Sequence, residues 1–580
     1  MSRPTYEIGL VLSGAISAGA YSAGVIDFII EALDAYEAAK TRPDWDGPTH
    51  DVRIPIMGGA SAGGMTAAIA ALHAFHKPEH VWPGKPLPAP RANRLYSSWV
   101  NDIDILRLLE TTDLDGDKSL NGVKSLLCCD VIDEIVANAF DLSGPLRQPN
   151  WVGRGADRSL RVFLTLTNLR GVPYSFQLFG ANDPRRYGML NHGDYLDFSV
   201  GVDPTVAPGA YAVDIRNTSE GDWDLYRTGS KATGAFPVGL AARYITRKAS
   251  DYWHSLRVGV ENDSAFTPVF PDDWVKSVDP YPFISADGGA IDNEPLELVR
   301  RYLAGASGSN ERSAEKAKRS VIMISPFPNL QKTTYESRGE RVIDVVPRLF
   351  STLIDQARFK PDELLLAEDE NVYSRYMIAP ERDTNNNPES KIYPIASGVL
   401  GGFGGFLHVS FRHHDYLLGR RNAQAFLRAN FALPINNPLF SEFSEQRRDK
   451  WLVRDIASGN LRTHQTAEGV RPGLPIIPLT PELLKEISIG PADLPKPQVF
   501  DNPAISLQLR SAIDKRSTRV VDVLVENDLR EMISGRFGYL KRMGAKYFGA
   551  DVLTTKFSKA VLGPGGAIDS VRAAFYPTKF

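Results

Sequence analysis

Twice within the first 75 residues an apolar run meets a small-residue turn and then a helical pattern, and few folds accommodate that. Residues 6–12 (YEIGLVL) end at Ser13-Gly14, after which residues 20–35 place Val25, Phe28, Ile29 and Leu33 at helical spacing. Residues 52–57 (VRIPIM) break at Gly58-Gly59 and pass into the Ala-rich stretch 62–75. Short apolar runs between turns are the mark of strands buried on both faces, as in parallel sheets. Alternation with helices gives an α/β architecture. Residues 161–167 (RVFLTLT) and 319–324 (RSVIMI) are further strand candidates, with Pro204, Pro208, Gly209 and Gly221 marking loops between them. The character changes past residue 329. Helical patterns are expected over 341–366, 416–432 and 519–532, and a polar linker over 381–390. The expected division is therefore a catalytic core over 1–335 and a mostly helical extension over 336–580 packed on it.

Charge and cysteine content remove several classes of function. The 66 basic and 69 acidic residues leave a net charge of −3 without a long basic run, which argues against nucleic acid as a partner. The two cysteines, Cys128 and Cys129, are adjacent, so neither a disulfide scaffold nor a four-ligand zinc site is available, and a reducing compartment is expected. They are expected on a half-buried helix. Residues 8–26 carry no charge and imitate a signal peptide, but Glu7 offsets Arg3 and Ser13-Gly14 interrupts the run. A soluble, cytoplasmic protein is expected, with peripheral membrane contact left open.

Gly59-Ala60-Ser61-Ala62-Gly63 is the G-x-S-x-G of this chain, set between a buried strand and a helix. A sharp turn there thrusts the Ser61 hydroxyl outward, and the helix behind it directs free N–H groups at a developing oxyanion. A serine needs a base. Asp287, at the end of an apolar segment and followed by Gly288-Gly289, is positioned to approach a hydroxyl without an imidazole; a triad through His192 or His254 is the alternative. The loop Ser13 to Gly19 lacks the Lys and Ser/Thr of a phosphate-binding loop, so its backbone N–H groups are read as oxyanion donors around Gly14, Ala15 and Ile16, joined by Ala62.

In this order the segments resemble the patatin-like phospholipases, serine acyl hydrolases, over roughly residues 6–330. That family's first loop, S/D-G-G-G-x-R/K-G-x-Y-x-x-G, stands here as Ser13-Gly14-Ala15-Ile16-Ser17-Ala18-Gly19-Ala20-Tyr21-Ser22-Ala23-Gly24. Its D-G-G maps onto Asp287 to Gly289, its A-S/T-x-A-x-P onto Ala232-Thr233-Gly234-Ala235-Phe236-Pro237, and its N-x-P onto Asn293-Glu294-Pro295. The resemblance implies a three-layer α/β/α core with a mostly parallel central sheet, and a Ser61–Asp287 dyad cleaving lipid or acyl-ester substrates without cofactor or metal. Ala15, Ile16 and Ala18 depart from the pattern. Losing the basic residue weakens the case for phosphate-headgroup recognition, and β-branched Ile16 disfavours the positive φ that glycine tolerates. A non-catalytic scaffold whose altered loop no longer builds an oxyanion hole is the third reading.

Three other patterns imitate metal sites. Asp113 to Asp117 opens like a calcium loop but has Lys118 and Lys124 where Gly and Glu are required. His73, His76 and His80, and the group His408, His413, His414 and Asp415, lack a carboxylate-rich ligand set. The glycine-rich apolar stretch 398–407 (GVLGGFGGFL) is read as core packing, with a mobile cover as the alternative. Lys541, Arg542, Lys546, Lys556 and Lys559, interleaved with Tyr539, Phe548 and Phe557, are read as a solvated face.

Overall fold

The computed structural model describes residues 3–176, 187–256, 266–270, 280–327, 345, 352, 372–382, 394–456, 458–485, 494–497, 503–528, 549–551, 554–556, 558–559 and 569–570. All but residues 345 and 352 of the helix expected over 341–366, most of the 381–390 linker, and Tyr539, Lys541, Arg542, Lys546, Phe548 and Phe557 lie outside these residues.

The opening pattern folds as it reads. Strand β1 (Thr5–Leu12) leads through the first loop to helix α1 (Gly19–Ala39), and β2 (Asp51–Gly59) leads through Ser61 to α2 (Ala62–Ala74). Helix α3 (Asp130–Ala139) precedes the long strands β3 (Leu160–Phe176) and β4 (Tyr187–Gly201), then β5 (Tyr211–Asp214) and helix α4 (Trp223–Thr233). Strands β6 (Arg243–Lys248), β7 (Phe266–Pro268) and β8 (Pro280–Asp287), helix α5 (Leu296–Ala304) and strand β9 (Arg319–Ile324) complete the first 327 residues. Beyond them lie β10 (Arg375–Ile378), helix α6 (Val409–Ala429), a small antiparallel sheet of β11 (Ala432–Pro434), β12 (Thr463–Thr466) and β13 (Gly469–Pro475), and helix α7 (Pro503–Val523).

Among the described residues the main sheet runs β10-β9-β1-β2-β3-β4-β5, with β7 and β8 also paired to β3, and β6 to β8. From β10 to β3 every pairing is parallel. The pleat sorts side chains by alternation. Leu10, Leu12, Val162, Leu164, Ile322 and Ile324 face α1 and α2, whereas Val11, Phe163, Val321 and Met323 face α5. The result is an α/β/α core of three layers.

Two features lie beyond the sequence reading. β10 adds an edge to the central sheet beside β9, so the sheet crosses the expected boundary at residue 335, and the chain past it contains strands as well as helices. Helix α6 packs against α1 with the two backbones nearly touching. A Cβ at Gly24 would stand 1.9 Å from the Tyr416 carbonyl oxygen, and one at Gly419 would stand 2.2 Å from that of Tyr21. Glycine is required at both because any side chain would part the helices. The stretch Ile16–Ala39 is long and apolar enough to cross a bilayer, yet 89% of its most apolar window is buried. Cys128 and Cys129 are buried just ahead of α3, with Cys129 at its N-cap, rather than within a half-buried helix.

Candidate active site

Parallel strands β1 and β2 end side by side, Leu12 opposite Gly59, so the first loop and Ser61 emerge at the same sheet edge. Carboxyl ends of such strands are where α/β sheets hold their ligands. β8 runs antiparallel to β3 and delivers Asp287 opposite Leu166. The Ser61 hydroxyl donates to Asp287 Oδ2 at 2.7 Å, and both side chains are buried. The other carboxylate oxygen, Oδ1, accepts the Gly289 N–H at 2.7 Å. His192 Nδ1 lies 2.7 Å from the Asn168 carbonyl oxygen, and the hydroxyl's partner is a carboxylate rather than an imidazole.

Ser61 has φ 53° and ψ −132°, a conformation that costs a non-glycine residue about 1–3 kcal/mol and persists only where neighbours enforce it. The motif residues 232–237 supply that enforcement. Thr233 Oγ1 accepts the Ser61 N–H at 3.1 Å, and the Ala235 carbonyl accepts the Asp287 N–H at 2.9 Å. One short segment at the C-terminal end of α4 therefore props both members of the pair. The Thr167 hydroxyl fixes the Asp287 carbonyl at 2.7 Å.

The motif glycines are set by close approach. A Cβ at Gly63 would lie 2.2 Å from the Leu12 carbonyl oxygen, and one at Gly14 would lie 2.2 Å from Asn293 Oδ1 and 3.0 Å from the Ser61 Cβ. Gly59, Gly288 and Gly289 are equally enclosed, by Gly63, Thr165 and Asn293. Asn293 thus serves as a spacer between the first loop and the D-G-G turn. Its carbonyl also accepts the Gly14 N–H at 3.1 Å, which engages one of the donors assigned to the oxyanion. Ala15 and Ile16 from the loop and Ala62 at the first turn of α2 stand around Ser61 with it. Ile16 has φ 49°, the strained conformation its β-branch disfavours.

Two hollows meet at Ser61. One is a chamber walled by apolar side chains, among them Trp99, Ile103, Ile135, Phe236 and Phe403. The other is a cleft bounded by the first loop, Phe236, Asp287 and Asn293. Among the described residues neither is lined by a lysine or arginine. A hydroxyl already bonded to a carboxylate, with helix-end and loop amides around it, is arranged for attack on a carbonyl with proton transfer to the carboxylate.

The metal-like patterns have other partners. Arg516 pairs with Asp113 and Arg519 with Asp115. His80 lies 2.8 Å from the buried Asp27, which also meets Arg420 and Asn93. Burial alone would raise the Asp27 carboxyl, but Arg420 and His80 outweigh it and hold it well below the usual range. His413 bonds the Tyr96 hydroxyl at 2.8 Å, and Asp415 accepts two backbone N–H groups of the 396–407 stretch. Among the described residues no group of three or more His, Cys, Asp or Glu side chains is placed to hold a metal. The stretch 398–407 packs as core, with Val399, Phe406 and Leu407 buried, and it also reaches the site: Phe403 and Phe406 wall the chamber, and the segment abuts the first loop.

No family model matches the chain. It is 36% identical over 529 residues to "Uncharacterized protein y4iI" of Sinorhizobium fredii (strain NBRC 101917 / NGR234), an alignment that spans 84% of this chain and 72% of the relative. The chain belongs to the family of that protein.

Proposed function

We propose that the chain is a lipid acyl hydrolase of the patatin-like type, cleaving carboxylic esters through an acyl-enzyme on Ser61. The observation that carries this reading is the 2.7 Å bond from the Ser61 hydroxyl to Asp287 at the mouth of an apolar chamber. Ser61 Oγ attacks the ester carbonyl as its proton passes to Asp287. Amides of Ala15, Ile16 and Ala62 stabilise the oxyanion, each such donor being worth about 3 kcal/mol. Collapse expels the alcohol, which takes the proton from Asp287. Water then attacks the acyl-enzyme, gives its proton to the same carboxylate, and releases the acid as Ser61 regains its hydrogen.

The chamber suits a fatty acyl chain and the cleft the departing alcohol. The absence of basic side chains among the described lining residues favours esters recognised by their acyl part over phosphate headgroups. Val238 and Ile291, next in sequence to the cleft residues Pro237 and Ala290, are 66% and 43% exposed, which suits substrate drawn from a lipid aggregate. The test is hydrolysis of nitrophenyl esters of graded chain length beside phospholipid vesicles. Ser61→Ala and Asp287→Asn should each lower kcat by at least about a thousand-fold in folded protein, and Ser61→Ala should abolish fluorophosphonate labelling. Undiminished turnover in either variant refutes the dyad.

A further inference from the structure

Residues 396–407 form two successive tight turns, Ala396–Gly402 and Gly404–Leu407, with Leu400, Gly401 and Gly402 at φ 56°, 63° and 102°. This strap meets the first loop at Ser17, which is fully buried. The Ser17 hydroxyl donates to the Gly402 carbonyl and accepts the Gly405 N–H at 2.9 Å. Gly402 also crowds Ile16, since a Cβ there would lie 3.3 Å from Ile16 Cδ1.

The strap is in turn fixed by two buried charges on the first turns of α6. Asp415 accepts the N–H groups of Ala396 and Ser397, both at 2.8 Å. Arg412 donates to the Gly405 carbonyl at 2.8 Å and to the Val100 carbonyl at 2.9 Å, joining the strap to the chamber wall at Trp99. Arg412 and Asp415, three residues apart, share one face of the helix that packs on α1. α1 begins where the first loop ends. A continuous chain of hydrogen bonds therefore runs from α6 through the strap to the residue beside Ile16.

An isoleucine at φ 49° reverts to ordinary backbone unless its surroundings over-determine it. We propose that Ser17 is a positioning residue of the hydrolase: its two bonds to the strap hold Ile16 at positive φ, with the loop amides turned toward the oxyanion, so that 396–407 is a working part of the active site. This rests on the hydrolase reading above.

The experiment compares full-length wild type, Ser17→Ala, Ile16→Gly and the double variant on a long-chain nitrophenyl ester. Active sites are titrated with a fluorophosphonate and folding is checked by circular dichroism. Affinity is also measured for a trifluoromethyl ketone, whose serine adduct carries the oxyanion, and for an alkyl ether of equal length that does not. Ser17→Ala should lower kcat on the order of ten-fold or more, with KM and ether affinity within about two-fold and ketone affinity falling in parallel. In the Ile16→Gly background the same change should cost less than about three-fold, because glycine takes positive φ without a clamp. Should Ser17→Ala fail to fold, Asp415→Asn loosens the strap from its far side and should give the same split between kcat and KM. Unchanged kcat, a loss confined to KM, or an equal loss in both backgrounds overturns the assignment. Inert wild type overturns the hydrolase reading and this inference with it, whereas active wild type beside an equally active Ser17→Ala overturns the inference alone.

Discussion

Thr233→Val offers the sharpest probe of how Ser61 is held. Valine keeps the shape of threonine but replaces the hydroxyl that accepts the Ser61 N–H at 3.1 Å with a methyl group. A buried amide left without an acceptor costs about 1–3 kcal/mol, and a carbon cannot rest as close to nitrogen as the oxygen did. The surroundings are firm, since a Cβ on Gly64 would already lie 2.6 Å from Thr233 Oγ1. The peptide before Ser61 must therefore retreat, and the φ 53° conformation loses the contact opposing its relaxation. Should about 2 kcal/mol fall on the transition state, kcat drops roughly thirty-fold. The same sum should appear as lost stability in urea unfolding. Thr233→Ser keeps the hydroxyl and should restore most of both. Turnover and unfolding midpoint of the valine variant equal to wild type, or a serine variant as impaired as valine, would refute the reasoning.

Other perturbations have equally definite outcomes. Ile135→Trp should shorten the chamber: losing room for two methylenes costs about 1.6 kcal/mol, so kcat/KM for long-chain esters should fall roughly fifteen-fold while short-chain esters are spared. His50 sets a pH dependence of stability. Burial lowers its imidazole from 6.5 to about 4, with Nε2 2.7 Å from the Ile476 carbonyl oxygen and Nδ1 enclosed without a partner among the described residues. Below pH 6.5 the unfolded chain binds a proton that the folded protein refuses, so stability present above 6.5 is lost as pH falls toward 4, by about 2 kcal/mol at pH 5. Urea midpoints at pH 7 and 5 measure the loss, and His50→Gln should reduce the difference.

The sequence is legible where structure is local. β1, β2 and β9 announce themselves because strands covered on both faces need unbroken apolar runs, and Ser61 because the strand-to-helix turn admits only small neighbours. Strand β4 is hidden in the sequence. Its buried Asp194 and Asp197 interrupt the apolar signal, and their partners Arg247 and Arg161 are 53 and 36 residues away. For the same reason Thr233 and Asn293 are visible only as motif letters until contacts show one accepting an amide and the other separating two turns. In the sequence Asp415 reads as a stray metal ligand, because the amides it binds precede it by 18 and 19 residues. Ser17 gives no signal of its role, its partner Gly405 lying 388 positions on.

The reciprocal glycine contact between α1 and α6 also shapes how the protein is made. Gly24 leaves the ribosome 395 residues before Gly419, which at 5–20 residues per second is roughly 20 to 80 s of translation. Throughout that interval an apolar helix waits for the surface that will cover it. The α1 face that packs on α6 is therefore open early in synthesis, and slow codons between the two helices would prolong that exposure.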